Sequence, residues 1–357
     1  MTKRNIILEG RIKSWLDTVT DTEFLKLDNE KKALLLQAVE VLYRGTKDED
    51  YLAFVMHKAD ILTDNNGKVN CKNGQDMANY ALGNALVFVK NMVDADISNK
   101  AAKACGADSK DIADTYNKYT DSLKDVSEQL DVQKKNELGI FAGSDNAVQI
   151  LSDTYKSQVF YMNYETILGG KERYNDIIAQ FNNLQADTYK KVSDKLTGSL
   201  NEAGLYNTQE YAAIVNYICA LIDTMEVMAQ PLYEIYDALK RYFKVGVKDI
   251  LALQKTRVQE KHICSEGTCI FTKEAVSAAE LYEVYAILKG CRMKALHTEK
   301  YENAQLETLN ATISKACNSF DSLDNDYITA LVMAYGESLR NREYQDYGRD
   351  NGGVLWN

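Results

Sequence analysis

One proline, Pro231, stands in a chain of 357 residues, and this near absence constrains the fold more than any motif. Proline normally supplies about 5% of a sequence. It lacks a backbone donor and its ring clashes with the preceding turn, so it is the commonest interruption of a helix. A chain without it is free to build long helices joined by glycine or Asn/Asp turns. The expected class is all-α: one or more bundles of roughly ten to twelve helices, with one or two short β-ribbons.

Capping signals and periodicity divide the chain. Thr20-x-x-Glu23 and Thr46-x-x-Glu49 are capping-box signatures. Between them Leu34, Leu35, Ala38, Val41 and Leu42 have helical spacing, closed by Gly45. Asn66-Gly67 predicts a tight reversal and a short ribbon near 62–71. Helices are expected over about 76–104, 108–138, 146–168 and 172–196. The most apolar helix runs through Tyr211, Ile214, Ile218, Leu221 and Met225, is kinked at Pro231, and resumes through Tyr236, Leu239 and Phe243. Residues 261–272 break the helical habit and read as a small hairpin. Three more helices follow, the last capped by Asp324 and ending near Tyr344. The organisation expected is an N-terminal helical subdomain (1–106), a central hairpin or coiled-coil-like region (107–205), a C-terminal helical subdomain (206–345) and a tail (346–357).

Ile112, Tyr116, Tyr119, Leu123, Val126 and Leu130 follow one another at steps of 4, 3, 4, 3 and 4. That narrow heptad seam packs against a partner helix, either in another chain or within an intramolecular hairpin; two or three heptads are short for a free-standing coiled coil. There are 23 tyrosines against nine phenylalanines and two tryptophans. Tyrosine suits half-buried seams and protein interfaces, being apolar with a polar end. Tyr344, Tyr347, Leu355 and Trp356 make the last residues too apolar for a solvated tail, so this segment is expected to dock on a neighbour.

The net charge is −10, which argues against nucleic acid as the main partner, because phosphate contacts need a basic face. No apolar run is long enough for a secretory signal or an ordinary transmembrane helix. Seven scattered cysteines read as reduced thiols, and a cytoplasmic location, or one inside a particle assembled there, is expected.

The catalytic inventory is short. With three histidines, Glu-x-x-His and His-Glu-x-x-His are both missing, as are the common phosphate-cradling glycine loops and Gly-x-Ser-x-Gly. Leu62 to Asn73 matches the middle of a calcium loop but lacks both anchoring carboxylates. His262, Cys264, Cys269 and Cys291 are weak metal candidates without a Cys-x-x-Cys knuckle; free thiols or a Cys264–Cys269 disulfide are the alternatives. Asn325-Asp326-x-x-Thr329 resembles the start of the second metal motif of class I terpene synthases, but Met333 stands where the closing glutamate belongs. A helix N-terminus with an acidic cap accounts for these residues equally well.

No catalytic residue and no cofactor are assigned. The expectation from sequence is a non-enzymatic helical interaction or assembly subunit, such as a virion component, with protein partners that include itself. The alternatives are an α-helical pore-forming toxin and an enzyme with an unrecognised site. Asp223 and Glu226 inside the most apolar segment make that segment core rather than a membrane span.

Overall fold

The computed structural model describes residues 3–64, 68–69, 76–103, 109–170, 172–203, 209–229, 232–263 and 277–342, with backbone alone at 3, 96–103, 109–117, 199–203, 254–263 and 341–342. Helices dominate them: α1 (Lys3–Thr18), α2 (Asp21–Lys26), α3 (Asn29–Thr46), α4 (Glu49–Ile61), α5 (Ala78–Lys103), α6 (Ser109–Asp131) and α7 (Ala147–Ile167). Then come α8 (Tyr174–Asn183), a π-helical turn (Leu184–Thr188), α9 (Tyr189–Ala203), α10 (Gln209–Val227), α11 (Tyr233–Ile263), α12 (Ala278–Arg292), α13 (Thr298–Ser319) and α14 (Asn325–Arg342). The all-α expectation holds.

These helices form two concentric rings. The inner ring is α3, α5, α7, α10, α12 and α14, each packed on the next, with α14 returning to α3. The chain steps outward after each inner helix, so α4, α6, α8–α9, α11 and α13 back their neighbours, and α1 completes the outer layer against α13. The three stretches read from sequence thus supply consecutive members of one closed toroid.

Side-chain pattern separates the layers. Inner α10 buries Tyr211, Ile214, Tyr217, Ile218, Leu221 and Met225 around its circumference, as a helix surrounded by others must. Outer α6 buries one stripe, Tyr119, Leu123, Val126 and Leu130, and leans on α5 and α7 of the same chain. The heptad seam is therefore used within the chain; the side chains of Ile112 and Tyr116 lie outside the described ones. Local caps start the helices: Asp28 Oδ1 accepts from the Lys31 amide at 2.8 Å, Asn146 Oδ1 from Val148 at 2.9 Å, and Ser277 with Glu280 forms a full capping box on α12.

Several details differ from the expectations. Among the described residues the α-helices number fourteen rather than ten to twelve. Helix α1 was not expected, because its buried residues, Leu8, Ile12, Trp15 and Leu16, are spread thinly among charges. Instead of one helix kinked at Pro231, the chain breaks into α10 and α11 on either side of it. Among the described residues the ribbon near 62–71 shows a Thr63–Val69 bridge, and Lys135–Phe141 forms another that was not expected. Residues 262 and 263 close α11, and the rest of the expected hairpin lies outside the described residues, as do Tyr344, Tyr347, Leu355 and Trp356.

Ring closure depends on a close helix crossing. A Cβ at Gly336 on α14 would sit 2.7 Å from the Leu42 amide nitrogen on α3, and one at Gly45 would meet the Gly336 carbonyl oxygen at 2.5 Å. Neither obstacle is a flexible side-chain end, so the helices must part to admit a methyl group. Gly336→Ala should therefore destabilise the protein by about 1–3 kcal/mol, against the gain of about 1 kcal/mol that alanine normally brings to a helix interior. Urea denaturation followed by circular dichroism checks the sign.

Candidate functional site on the axis of the toroid

The inner helices share a direction. Their C-terminal halves line one axial pocket, through Glu40 and Arg44 (α3), Asn91 (α5), Asn163 (α7), Glu226 (α10), Lys289 (α12) and Arg340 (α14). The N-terminal ends of α3, α10, α12 and α14 line a second, wider opening. Three of the six connections entering the inner helices, at 62–77, 132–146 and 264–277, are long, whereas those entering α3, α10 and α14 and those leaving the inner helices are short. Long loops gathered on one face of a rigid scaffold mark the side that carries function.

Between the two mouths the axis is closed by a polar plug. Asp223, 2% exposed, lies at its centre and accepts from four side chains. Gln37 Nε2 (2.7 Å) and the Tyr155 hydroxyl (3.0 Å) donate to one oxygen. The Tyr285 hydroxyl (2.8 Å) and Lys289 Nζ (2.7 Å) donate to the other. Four inner helices meet on this carboxylate. Burial pushes both tyrosines well above their ordinary range, with the Asp223 charge adding to the effect, so they stay donors at any physiological pH. Burial works against the charge of Lys289, but Asp223 and Glu226 hold its pKa above the usual value.

Towards the C-terminal mouth the plug continues as an ion network. Glu226 takes Lys289, Arg292 Nη2 (2.8 Å) and Arg340 Nη2 (2.8 Å). Glu337, fully buried, takes Arg292 Nε at 2.5 Å and Arg340 Nη1 at 3.4 Å. Burial alone would raise the Glu226 carboxyl, yet the cations around it, Arg340 first, hold it well below the usual carboxylate range. Its oxygens are committed to these cations, which makes Glu226 an anchor rather than a base. Glu40 is the contrasting group: 17% of its side chain is accessible and it is paired with Arg44 Nε at 2.9 Å. Burial pushes its carboxyl above the normal value.

The N-terminal mouth is a funnel of about 620 Å³, within the range of about 300–1,000 Å³ usual for small-molecule sites. Trp15 and Tyr282 contribute aromatic surface, and Glu30, Asp326, Lys31 and Asn216 contribute polar groups. Trp15 Nε1 donates to Asn325 Oδ1 at 2.9 Å, which fixes the indole against the start of α14. Asp326 faces Lys31 at 3.1 Å, and this hydrogen bond raises the Lys31 pKa. Glu30 is held at 2.9 Å by Lys156, which also meets Asp153 at 3.1 Å. Glu30 and Asp326 are thus each anchored by a lysine through one oxygen. A small cavity of about 30 Å³, lined by Glu30, Gln37, Tyr155 and Asn216, lies between funnel and plug.

The residues singled out from sequence fall unevenly on this map. Asn325, Asp326 and Thr329 line the funnel. Tyr119, Leu123, Val126 and Leu130 are buried in an outer pair away from the axial lining. Cys291 is buried on α12 with its thiol pushed up to about 12 by burial; the side chain of His262, with Cys264 and Cys269, lies outside the described residues. Among the described residues no group of three or more His, Cys, Asp or Glu side chains is placed to hold a metal ion, and no helix is long and apolar enough to cross a membrane. The plug itself, Asp223, Glu226, Lys289, Arg292, Glu337 and Arg340, was missed as a unit. The available signal was the presence of Asp223 and Glu226 in the most apolar helix of the chain.

No family model and no curated protein matches the chain. Among solved structures it is similar to a protein of C. acetobutylicum described as a glycoside hydrolase from family 105, with a TM-score of 0.63 and 17% identity, covering 97% of this chain and all of the other. At that identity the likeness is one of fold. It nevertheless overturns the expectation of a non-enzymatic assembly subunit or virion component: the architecture, end to end, is one an enzyme uses. The heptad seam, one of the features that carried that expectation, takes the intramolecular alternative and is consumed in building the double ring.

Two measurements test the plug. Asp223→Ala leaves Lys289 short of a buried counter-charge and should cost about 3–5 kcal/mol, read from the urea midpoint. Glu40→Gln should act through pH. An acid whose pKa is raised on folding holds its proton longer in the folded state, so stability falls as pH rises from about 4.5 through the folded value. The Glu40→Gln protein lacks that loss, so its stability relative to wild type should increase between pH 4 and pH 8.

Proposed function

We propose that the protein is an enzyme acting on a saccharide, with the funnel at the N-terminal ends of the inner helices as its substrate site. The observation that carries this reading is the pairing, in one opening of substrate size, of two singly anchored carboxylates, Glu30 and Asp326, with the aromatic walls of Trp15 and Tyr282. Cleaving a glycosidic bond requires two carboxyl groups, one giving a proton to the leaving oxygen and the other activating water or attacking the sugar. An aromatic face adds contact to the apolar side of a sugar ring, and Asn216 and Asn325 add amide groups suited to hydroxyls. The whole-chain likeness to a glycoside hydrolase supports the same substrate class. The free thiols of Cys219, Cys291 and Cys317 favour a reducing compartment, so we assign the protein to the cytoplasm.

The test is release of reducing ends from a panel of neutral, amino and acidic oligosaccharides. Glu30→Gln and Asp326→Asn should each lower kcat/KM by about 100-fold or more, the usual size of an acid–base contribution, with circular dichroism unchanged. Turnover that survives both substitutions would remove the funnel carboxylates from the chemistry. Failure of every saccharide both to bind and to react would remove the substrate class.

A further inference from the structure

The C-terminal mouth of the toroid holds a second cavity, of about 180 Å³, which lies beyond the plug from the funnel and has no part in the reading above. An engineered cavity of about 150 Å³ is known to admit benzene, so a molecule of six or so ring atoms marks its capacity. Its walls mix two kinds of surface. Val41, Val87, Phe88, Val159 and Met293 make an apolar cup; Arg44, Asn84, Asn91 and Asn163 bring polar ends to the same space.

The cations at this mouth are not equivalent. Lys289, Arg292 and Arg340 are spent on Asp223, Glu226 and Glu337. Arg44 differs: its Nε donates to Glu40, and its two Nη atoms donate to no described residue. The guanidinium rests 5.1 Å from the centre of the Phe88 ring, which holds its plane in one attitude. Four cations and four carboxyl groups balance here only while Glu40 is ionised, and burial favours its neutral form.

We infer that this cavity binds a small monocarboxylic acid with a compact apolar body, its carboxylate forked onto the Nη atoms of Arg44 and its body seated against Phe88 and the valines. The planar fork of arginine matches a carboxylate through two parallel hydrogen bonds. The Asn91 amide lines the same space and offers a further donor. The apolar cup selects against inorganic phosphate, which would leave it unfilled.

Isothermal titration calorimetry of the full chain at pH 5.5 with sodium benzoate and sodium butyrate tests this, with benzamide and inorganic phosphate as controls. The expected result is saturable binding of both carboxylates and binding at least about ten-fold weaker for both controls. Arg44→Gln and Arg44→Lys should each weaken benzoate by about ten-fold or more, the size of a lost charged hydrogen-bond pair, with urea midpoints confirming that both variants fold. Asp326→Asn, at the opposite mouth, should leave benzoate affinity within two-fold. Benzamide or phosphate binding as tightly as benzoate, benzoate binding untouched by both Arg44 substitutions, or no heat with any probe would each overturn the inference. Because the two mouths are separated by the plug, loss of benzoate binding in Arg44→Gln with saccharide turnover intact keeps this result distinct from that of the funnel.

Discussion

Six helices in a closed ring leave a hole that packing alone does not fill. With neighbouring axes about 8–10 Å apart, a hexagon places each axis the same distance from the centre, while a helix with its side chains reaches only about 5–6 Å from its own axis. The gap of several ångströms must be bridged by long side chains, and the long side chains available to proteins mostly end in polar groups. Gln37, Tyr155, Tyr285 and Lys289 span it here, and Asp223 collects all four tips. An unpartnered polar tip at this depth would cost about 1–3 kcal/mol, so each arm depends on the shared acceptor. The carboxylate suits the position because its two oxygens offer about four lone-pair sites, and all four are taken. Gln37 and Asp223 come from α3 and α10, which stand opposite one another in the ring, so this contact ties the toroid across its diameter.

The common direction of the inner helices imposes a second constraint. Parallel helix dipoles do not cancel as antiparallel neighbours do, so partial positive charge gathers at one mouth and partial negative charge at the other. The chain answers with side chains of the opposite sign. Asp28, Glu30, Glu210, Glu280 and Asp326 sit in or beside first turns, and Arg44, Lys289 and Arg292 occupy last turns. The funnel is therefore acidic in side chains for a structural reason before any ligand is considered, while the last-turn cations of the far mouth are matched by Glu40, Glu226 and Glu337. Function is readable only in the departures from this compensation: carboxylates anchored through one oxygen at one end, and an arginine with two nitrogens left over at the other.

Helices were legible from the sequence because helix formation is local. Proline scarcity, capping residues and apolar spacing act within a few turns, and Thr20 and Asp324 cap their helices as read, whereas Thr46 closes α3 and Asp48 caps α4 in its place. Ring closure was not legible, because it pairs α3 with α14 through Gly45 and Gly336, nearly three hundred positions apart, and a glycine in a helix carries no label for its partner. The plug was half legible. Asp223 and Glu226 declared themselves as charges in an apolar helix, but their partners Lys289, Arg292 and Arg340 lie on helices whose surfaces are mixed enough to hide them. The funnel carboxylates were the least visible: Glu30 and Asp326 look like ordinary first-turn acids, and only the convergence of four helix ends makes them neighbours of one cavity. The heptad seam left two readings open, because a stripe that packs on a helix of the same chain is indistinguishable, in sequence, from one that packs on another chain; the fold takes the first.

A fold shared at 17% identity is what these constraints allow. The ring demands helix lengths, apolar faces inside, a stripe outside, small residues at the tightest crossing and some polar filling of the axis; many residue choices meet those demands. None of them dictates which side chains face the open mouths, and chemistry resides there rather than in the ring. The likeness to a glycoside hydrolase therefore narrows the architecture, and the roles proposed for Glu30 and Asp326 rest on the funnel alone. Lys156 and Lys31 stand behind those two carboxylates at 2.9 and 3.1 Å, so what the fold fixes is their position at the mouth, through pairs that tie first turns to neighbouring helices.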